Sequence, residues 1–281
     1  MAVNTPDVAS GWRPDQIHYF DADKILGESL YVSATTKGGE IQGDAPSLLV
    51  PYVDDADSAA FVAEGAEITE DDPDLDQVQV FTRKIARLVK LSREQFGQDG
   101  TAANISASVK NDLIRKMDRA LLSQVAPTAP AVAPVAGLVN TTGLVNGGEI
   151  TTDLDPLIDL LVQLQANDAA PRVIVVDPLA FGALAKLRKG EGSNEGLLTG
   201  ANDALTFPLL GTQVSVSSAM PASAGVVIDP AAIISAYSQV EIATSDQAYF
   251  TSDSVAVRAT VRVGHKVVRP ARLGKFTVEA A

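Results

Sequence analysis

The sequence predicts an α+β protein that combines a long-stranded sheet, one long helix and a segment in which helices alternate with short strands. Two arms of strand-like sequence flank an acidic turn between residues 48 and 91, and a regular apolar period follows over Thr101–Val125. Beyond residue 150, Asp-Pro pairs that begin helices alternate with short apolar runs. With 281 residues and 46% apolar content, the chain has enough apolar side chains to form a core.

The composition excludes several classes of protein. The chain has no Cys, so disulfides, thiolate metal sites and Cys nucleophiles are ruled out. The N-terminal sequence has neither the basic nor the apolar region of a signal peptide, and no run approaches the roughly 18 apolar residues of a membrane span. We therefore expect synthesis in a cytoplasm and no membrane partner. A net charge of −13 also disfavours direct binding to nucleic acid.

The first 37 residues show no sustained helix or strand period. Trp12, Tyr19 and Phe20 are spread among Asp, Pro and Gly, and the run from Ile25 to Val32 favours one short helix or strand. This part is predicted to be an extended arm that lies on another surface.

Almost all of the net charge lies between Gly38 and Thr82. This segment has 12 acidic residues and no Lys or Arg, and the 23 acids outside it nearly balance the 22 bases of the chain. Ten of the 12 acids fall between Asp54 and Asp76, where repulsion between like charges opposes folding as a compact core. The segment is therefore predicted to project into water or against a basic surface.

Strand patterns on both sides of the acidic turn predict a long hairpin. The first arm contains Pro51, which restricts it to an edge or irregular strand. In the second arm, Val78 and Val80 share one face, whereas Ile85 and Val89 share the other. The buried face is therefore predicted to switch near Val80 through a bulge or a strong twist. Because an isolated two-stranded ribbon is marginal in water, we expect this ribbon to lean on a neighbour.

Two helices are predicted next. Ser92 and Gln95 have the spacing of a capping box for a short helix. A longer helix is predicted over Thr101–Val125, because apolar residues recur at every fourth position from Ile105 onward. At the rise of an α-helix it would span roughly 37 Å, which is enough to cross a whole domain.

The second half of the chain alternates helices and strands. Three prolines make residues 126–137 an extended connector. Asp155 and Asp177, each followed by Pro, are predicted to be helix N-caps, and Asp229 begins a third such pair. The apolar run Arg172–Val176 predicts a strand that is buried on both faces.

Further strands follow, and the last of them is long. Short strands are predicted at 212–218, 224–228 and 240–244. The closing strand SVAVRATVRVGHKVV alternates, with its valines on one face. Six Lys or Arg and no acid occur between Ser254 and Val278, so the end of the chain is as basic as its early loop is acidic.

No arrangement in the sequence indicates catalysis. The Gly-rich loop Gly190–Gly196 follows a helix, whereas a dinucleotide fingerprint must follow a strand. His18 and His265 each lack a second ligand at helical spacing, and His265 is predicted to be a surface or interface side chain. We predict no catalytic, cofactor-binding or metal-binding residue and no cofactor. A small α/β enzyme or ligand-binding module over Arg172–Val240 is an alternative that would require a pocket with convergent polar groups.

Several motifs occur in an order that carries a resemblance. They are an irregular arm, an acidic hairpin that ends in FTRKIARLVKLSREQF, a long helix, the segment RVIVVDPLAFGALAKLRKGEGSNEGL, the strand LLGTQVSVS and a closing strand that reaches VRPARLGKFTV. In this order, over nearly the whole chain, they resemble a major capsid protein of tailed bacteriophages with the Hong Kong 97 type fold.

The resemblance implies five parts of the chain. An extended loop would lie over an adjacent subunit, a peripheral domain would contain the long spine helix and the long-stranded sheet, and an α/β axial domain would meet its copies at fivefold and sixfold centres. The implied parts are the N-terminal arm at 1–37, the extended loop at 38–83, the peripheral domain at 84–126, the axial domain at 127–237 and return strands that complete both domains at 238–281.

The function that the resemblance implies is structural and not enzymatic. Copies of the chain would self-assemble as pentamers and hexamers into the icosahedral shell of a virion, built in the bacterial cytoplasm. The shell would enclose double-stranded DNA without sequence-specific binding. Implied partners are the portal, a scaffolding protein, and decoration or maturation protease proteins. An encapsulin-type nanocompartment shell is an alternative with the same fold, and protein cargo in place of DNA would distinguish it.

Charge complementarity predicts the contacts between subunits. The acidic loop of one subunit is predicted to lie on the basic strands of the next. Some relatives form a covalent cross-link through a Lys on this loop, but no Lys lies between Lys37 and Lys84 here. The predicted contact residues are acidic or apolar on the loop and basic on the strands: Asp54, Asp55, Asp57, Phe61, Val62, Glu64, Glu67, Ile68, Glu70, Asp71, Asp72, Asp74, Arg83, Lys84, Arg87, Arg258, Arg262 and Arg269.

Overall fold

The computed structural model of the chain describes residues 17–20, 27, 29–54, 61–62, 65, 74–96, 101–188 and 209–279. The helices in these ranges are α1 (Leu30–Ser33), α2 (Arg93–Phe96), α3 (Thr101–Leu122), α4 (Asp155–Ala166) and α5 (Pro178–Ala185). The strands are β1 (Ile17–Phe20), β2 (Thr36–Glu40), β3 (Ser47–Asp54), β4 (Asp74–Phe81), β5 (Arg83–Ser92), β6 (Val145–Ile150), β7 (Val173–Val176), β8 (Gln213–Val216), β9 (Ala224–Ile228), β10 (Ile233–Tyr237), β11 (Val240–Tyr249), β12 (Ser254–Val267) and β13 (Gly274–Val278).

The long closing strand β12 is the centre of the first sheet. Antiparallel β5 pairs with one side of β12, from Ser254 to Val263, and β11 followed by β10 pairs with the other side. The short strand β1 pairs antiparallel with β11, and β2 pairs in parallel with β10. The predicted face of β12 is buried, since Val257, Val261 and Val263 are all buried, and Val261 and Val263 pack in one cluster with the apolar stripe of α3.

The long helix has the predicted stripe but ends earlier than predicted. Val109, Leu113, Met117 and Leu121 are all buried, whereas Val125 lies beyond the last helical residue and is 71% exposed. The connector supplies the reason. The Gly137 N–H and the Asn140 side-chain amide donate to the Gln124 carbonyl, so the connector crosses the end of α3 and binds a carbonyl just past it.

The second sheet has the strand order β6-β13-β9-β7-β8. Helices α4 and α5 pack on one face of it, where Leu160 and Phe181 share a cluster with Ile174. The other face contributes Val175 and Val226 to the cluster that contains α3. Strand β7 is therefore buried on both faces, as its uniformly apolar sequence predicted.

The three Asp-Pro pairs begin three different structures. Asp177 is an N-cap as predicted, because its carboxylate accepts from the Leu179 N–H at 3.0 Å. The N-cap prediction is wrong for Asp155, which is the first residue of α4 and donates its own N–H to Asp153. Asp229 caps one 3-10 turn, after which the apolar residues of β10 continue as a strand.

The third sheet is the predicted ribbon, formed by β3 and β4 in antiparallel register from Ser47↔Phe81 to Asp54↔Asp74. Its root leans on the first sheet, since Val50 and Val80 cluster with Ile41 and Ala236. The change of buried face lies later than predicted. Thr82 is buried, as is Val80 two residues before it. From Ile85 onward the odd-numbered residues are the less exposed ones, so the buried face changes after the one-residue break between β4 and β5.

Candidate functional site

The charged end of the ribbon lies largely outside the described residues. Asp54 ends β3 directly opposite Asp74, which begins β4. Phe61 and Val62 are described, and both are exposed, Phe61 fully and Val62 by 44%. The other predicted loop contacts fall outside the described ranges: Asp55, Asp57, Glu64, Glu67, Ile68, Glu70, Asp71 and Asp72.

Two glycines of β2 allow the ribbon root to approach closely. A Cβ on Gly38 would lie 2.5 Å from the Ile234 Cγ2 and 3.0 Å from the Val50 Cγ2, and one on Gly39 would lie 2.8 Å from the Leu48 Cδ2. Side chains at these positions would push the ribbon away from the sheet. The root is therefore packed on its own subunit, and the Asp54–Asp74 pair stands at the other end of the ribbon.

Thr82 fixes the point where the ribbon joins the sheet. Its side chain is buried and donates to the Ala45 carbonyl at 2.6 Å, and its N–H donates to the Pro46 carbonyl at 2.9 Å. The Arg262 guanidinium lies 3.4 Å from the Thr82 hydroxyl and 3.5 Å from the Ala45 carbonyl. Arg262, a predicted intersubunit contact, is thus used inside the subunit at this joint.

The remaining predicted cations lie in three places. Arg83, Lys84 and Arg87 are on β5, where Arg83 and Lys84 are exposed. Arg258 is on β12 and forms a 3.0 Å ion pair with Glu241 of β11. Arg269 follows the end of β12, in the turn that leads to β13. Lys84 is the cross-strand partner of Arg262, whereas Arg269 lies beyond the stretch in which β5 and β12 pair.

A groove of about 470 Å³ between β5 and α3 brings together five cations, of which two are predicted contact residues. Lys84 and Arg87 line one wall, and Arg115, Lys116 and Arg119 of α3 line the other. None of these three α3 residues is among the contacts predicted from the sequence. Their spacing places them on one side of the helix, but the sequence could not show that this side faces β5.

Asp112 is the acidic residue in this groove. It lies 3.5 Å from Arg87, whose guanidinium also donates to the Ser108 carbonyl at 2.8 Å. Within the described ranges, no ion pair holds Lys84, Lys116 or Arg119. The groove thus has five cations and one acid, and it suits an anionic partner.

A buried polar cluster joins α1 and the Ser29 that precedes it to α3 and β12. The Ser29 hydroxyl donates to the Asp118 carboxylate at 2.6 Å, and the Tyr31 N–H lies 3.4 Å from the same oxygen. The Tyr31 ring packs edge-on against His265, and the His265 Nε2 is 3.1 Å from the Ala136 carbonyl. Because that carbonyl can only accept, Nε2 carries the proton and Nδ1 is left to accept from the Tyr31 hydroxyl.

This cluster corrects the prediction for His265, which is 3% exposed and not a surface side chain. His265 lies two residues after Val263 and four after Val261, so the alternation of the strand places these three side chains on the same face. That alternation indicated that His265 is buried. Burial lowers the pKa of His265 to about 4, so the ring is neutral near pH 7. Burial also raises the pKa of Tyr31 and that of Asp118, where the hydrogen bond from Ser29 opposes the rise.

Within the described ranges, no three His, Asp or Glu side chains are grouped as metal ligands. None of the helices there has the length and apolar character needed to cross a bilayer.

Solved structures give the fold of the chain. The structure from Gordonia phage Cozz has a TM-score of 0.68 and 15% identity, covering 99% of this chain and 92% of its own. The structure from Microbacterium phage Oxtober96 has a TM-score of 0.66 and 15% identity, covering 99% and 96%. A capsid of an empty GTA particle, computed with C5 symmetry, has a TM-score of 0.65 and 17% identity, covering 100% and 96%.

Sequence comparison assigns the family. No curated protein matches the chain by sequence. Residues 38–278 match the phage capsid family. This match takes in the ribbon, the second sheet, the first sheet except β1 and the start of β2, and helices α2 to α5, and the mixed α+β fold agrees with the phage structures. The chain therefore belongs to the phage capsid family as a structural capsid protein.

Proposed function

We propose that copies of this chain assemble into the icosahedral shell of a tailed bacteriophage around packaged double-stranded DNA. The family match over residues 38–278 carries the proposal. The ribbon supports it, because its root is packed on its own subunit and its strands lead, at Asp54 and Asp74, into the acidic segment. A net charge of −13 also keeps the shell from adhering to DNA phosphates.

We infer a Hong Kong 97 type fold with the parts that the sequence predicts. Residues 1–37 are the arm, 38–83 the extended loop, 84–126 the start of the peripheral domain and 127–237 the axial domain. Residues 238–281 form the return strands that complete the peripheral and axial domains. Support comes from the topology, in which β12 lies in the first sheet and β13, only a few residues later, lies in the second.

In this proposal the chain has a structural role and no enzymatic one. Its first partner is itself, in pentamers and hexamers, and the C5 symmetry of the GTA capsid supports a fivefold arrangement. A portal, a scaffolding protein, and decoration or maturation protease proteins are further partners. Assembly takes place in the cytoplasm of a bacterial host and ends in the virion.

The extended loop of one subunit lies on the next subunit in this proposal. The acidic residues between Asp54 and Asp76 then meet cations, and exposed Phe61 and Val62 add apolar contacts. Shells gain stability by summing many modest contacts of this kind.

Sedimentation of the purified chain tests the proposed function. The expected result is a population of very large particles well separated from the 29.3 kDa subunit. Nuclease-protected DNA in particles from infected cells would support a phage shell, and a protein cargo would contradict it. Sedimentation as a monodisperse monomer under all assembly conditions would also contradict the proposal.

A further inference from the structure

We propose that Asn146 is a site of spontaneous covalent modification, at which the side-chain amide becomes a carboxylate through a cyclic imide formed with the backbone of Gly147. The pair lies in β6 and is the one Asn-Gly sequence of the chain. Water is the only other reactant. The proposal concerns the single subunit and does not depend on its assembly into a shell.

The strand around Asn146 is irregular, which leaves its backbone less constrained than that of a regular strand. Between Lys275 and Thr277, β13 advances by two residues, whereas β6 advances by three, from Asn146 to Glu149. β6 therefore has one extra residue at this point, as in a β-bulge. β6 is also an end strand of the second sheet, paired with β13 alone within the part of the chain that the structure describes.

The fold explains both glycines that follow Asn146. A Cβ on Gly147 would lie 2.8 Å from the Leu160 Cδ2, so a larger residue would push β6 away from helix α4. Gly148 has a φ of +76°, in the left-handed region that glycine adopts without strain. Glycine is therefore required directly after Asn146, and the same lack of a side chain leaves the Gly147 nitrogen open to reaction.

The Asn146 side chain is folded over the peptide bond that would attack it. Its Oδ1 accepts from the Gly148 N–H at 3.2 Å, which closes a turn around Gly147. The side chain is exposed, so water and hydroxide reach it. In the tetrahedral intermediate the same oxygen carries the negative charge, and the Gly148 N–H already donates to it. This hydrogen bond therefore stabilises the charge as it develops.

The reaction has two steps and no change of oxidation state. The Gly147 nitrogen gives its proton to hydroxide and bonds to the Asn146 Cγ. The bond from Cγ to Nδ2 then breaks, and Nδ2 takes a proton from water and leaves as ammonia. Water opens the imide on either side of its nitrogen. Cleavage at Cγ gives aspartate, and cleavage at the backbone carbonyl carbon of Asn146 gives isoaspartate, whose chain continues through the side-chain carbons.

The two products differ in their effect on the second sheet. Aspartate keeps the side-chain acceptor of the turn and adds a negative charge beside Lys275, the partner of this position on β13. Isoaspartate adds one atom to the backbone of β6. The longer backbone cannot keep Gly147 under α4 and also hold Glu149 in register with Thr277. Isoaspartate is therefore expected to loosen β6 from β13.

Three other asparagines of the chain are held differently and serve as internal references. The side-chain amide of Asn140 donates to the Gln124 carbonyl at 2.9 Å, and that of Asn167 donates to the Ala271 carbonyl at 2.9 Å. Asn111 lies within α3, where the helix fixes its backbone. None of the three is followed by glycine.

Peptide mapping by mass spectrometry tests the site in the full, folded chain, stored at neutral and at mildly alkaline pH. The peptide that contains Asn146 should gain the mass difference between a hydroxyl and an amino group. The gain should be faster at the higher pH, because the Gly147 nitrogen must lose its proton. Conversion should be at least about tenfold faster than at Asn111, Asn140 and Asn167. Storage in water enriched in heavy oxygen labels only the product that forms before digestion.

Asn146→Gln is the matched control. Gln keeps the amide, but its ring would have one more atom and closes much more slowly, so the mass of this peptide should stay constant. Hydrogen exchange in β13 should rise with the isoaspartate content of the stored unmodified chain, and it should stay constant in the Gln variant. The melting temperature of the fresh proteins checks that both fold.

Two results would overturn the proposal. One is an Asn146 that keeps its amide in the folded chain while a synthetic peptide with the sequence of residues 144–150 converts under the same conditions. That result would show that the fold protects the site. The other is conversion at Asn146 that is no faster than at Asn111, Asn140 and Asn167.

Discussion

The hydroxyl of Tyr31 lies 3.4 Å from the Nδ1 of His265, with the two rings edge-on at a centroid distance of 5.7 Å. Both residues are buried, and they belong to segments more than 230 positions apart in the sequence. With the Nε2 hydrogen bond to Ala136, His265 joins α1, β12 and the connector after α3. Neutral imidazole is required in this arrangement, because a protonated Nδ1 cannot accept from Tyr31.

Acid should therefore destabilise the subunit through His265. The unfolded chain takes up a proton near pH 6.5, but the folded chain does so only near its pKa of about 4. The unfolding free energy contributed by this residue is complete above pH 6.5. It falls by up to about 3 kcal/mol as the pH drops to 4. His265→Gln should lack this fall in guanidinium titrations of the unassembled subunit between pH 4 and 7.

Asp118 is the nearby carboxyl that could obscure this result. Its pKa is raised by burial, so its contribution to stability falls with rising pH, opposite to that of His265. Because Asp118 is present in both proteins, the difference between the two titrations isolates the histidine. Parallel pH curves for the unmodified chain and His265→Gln would show that His265 does not have this role.

Gly264 should be one of the least replaceable residues of β12. A Cβ at this position would collide with the Phe81 carbonyl oxygen, a backbone atom at the ribbon root that cannot rotate away. Gly264→Ala is therefore expected to lower the unfolding free energy by more than about 2 kcal/mol.

Gly182→Ala is the matched control for Gly264→Ala. Gly182 lies within α5, and an added Cβ would have no atom within 4 Å. Helix propensity predicts a gain of about 0.5–1 kcal/mol from this change. Denaturant unfolding checks both variants, and equal effects would contradict the collision at Gly264.

The Asp118 carboxylate should hold α1 in place. Asp118→Ala removes the acceptor of the Ser29 hydroxyl and of the Tyr31 N–H, which is expected to cost about 1–3 kcal/mol. Asp118→Asn keeps one oxygen acceptor and removes the buried charge, so its cost should be smaller. Hydrogen exchange at Leu30 to Ala34 measures the local effect, and equal exchange in all three proteins would contradict it.

Shell stability should depend on salt if charge holds the ribbon end. Exposed ion pairs contribute only about 0–1 kcal/mol each and are screened as ionic strength rises. Light scattering of assembled shells in urea should show dissociation at lower urea as NaCl increases from about 0.1 to 1 M. Dissociation at the same urea concentration throughout would instead indicate that Phe61, Val62 and Ile68 supply the main contacts.

Local patterns in the sequence predicted the elements that have a long period. The stripe of α3 and the alternating β12 were visible because each repeats one spacing over enough residues, and β7 was visible because its run is uniformly apolar. The ribbon was predictable because two strand-like arms lie on either side of a segment rich in acidic residues. The end of α3 was missed by three residues, since the connector that binds the carbonyl of Gln124 returns from Gly137.

The short strands β7, β8 and β9 lie where strands were predicted, but the short strands β6 and β13 and their pairing were not predictable in this way. Strands β6 and β13 are short, contain Gly and pair in parallel across more than 100 residues of sequence, so no local pattern marks either one. The cations of the groove show the same difficulty. Arg115 and Arg119 are visibly one turn apart on a helix, but only the tertiary fold places them opposite Lys84.

Cryo-electron microscopy of the purified, assembled chain tests the central claim most directly. Closed icosahedral shells built from this chain are expected. Preparations that contain only dispersed monomers, with no shells, rings or capsomers under any condition, would contradict the claim that this protein is a shell-forming subunit.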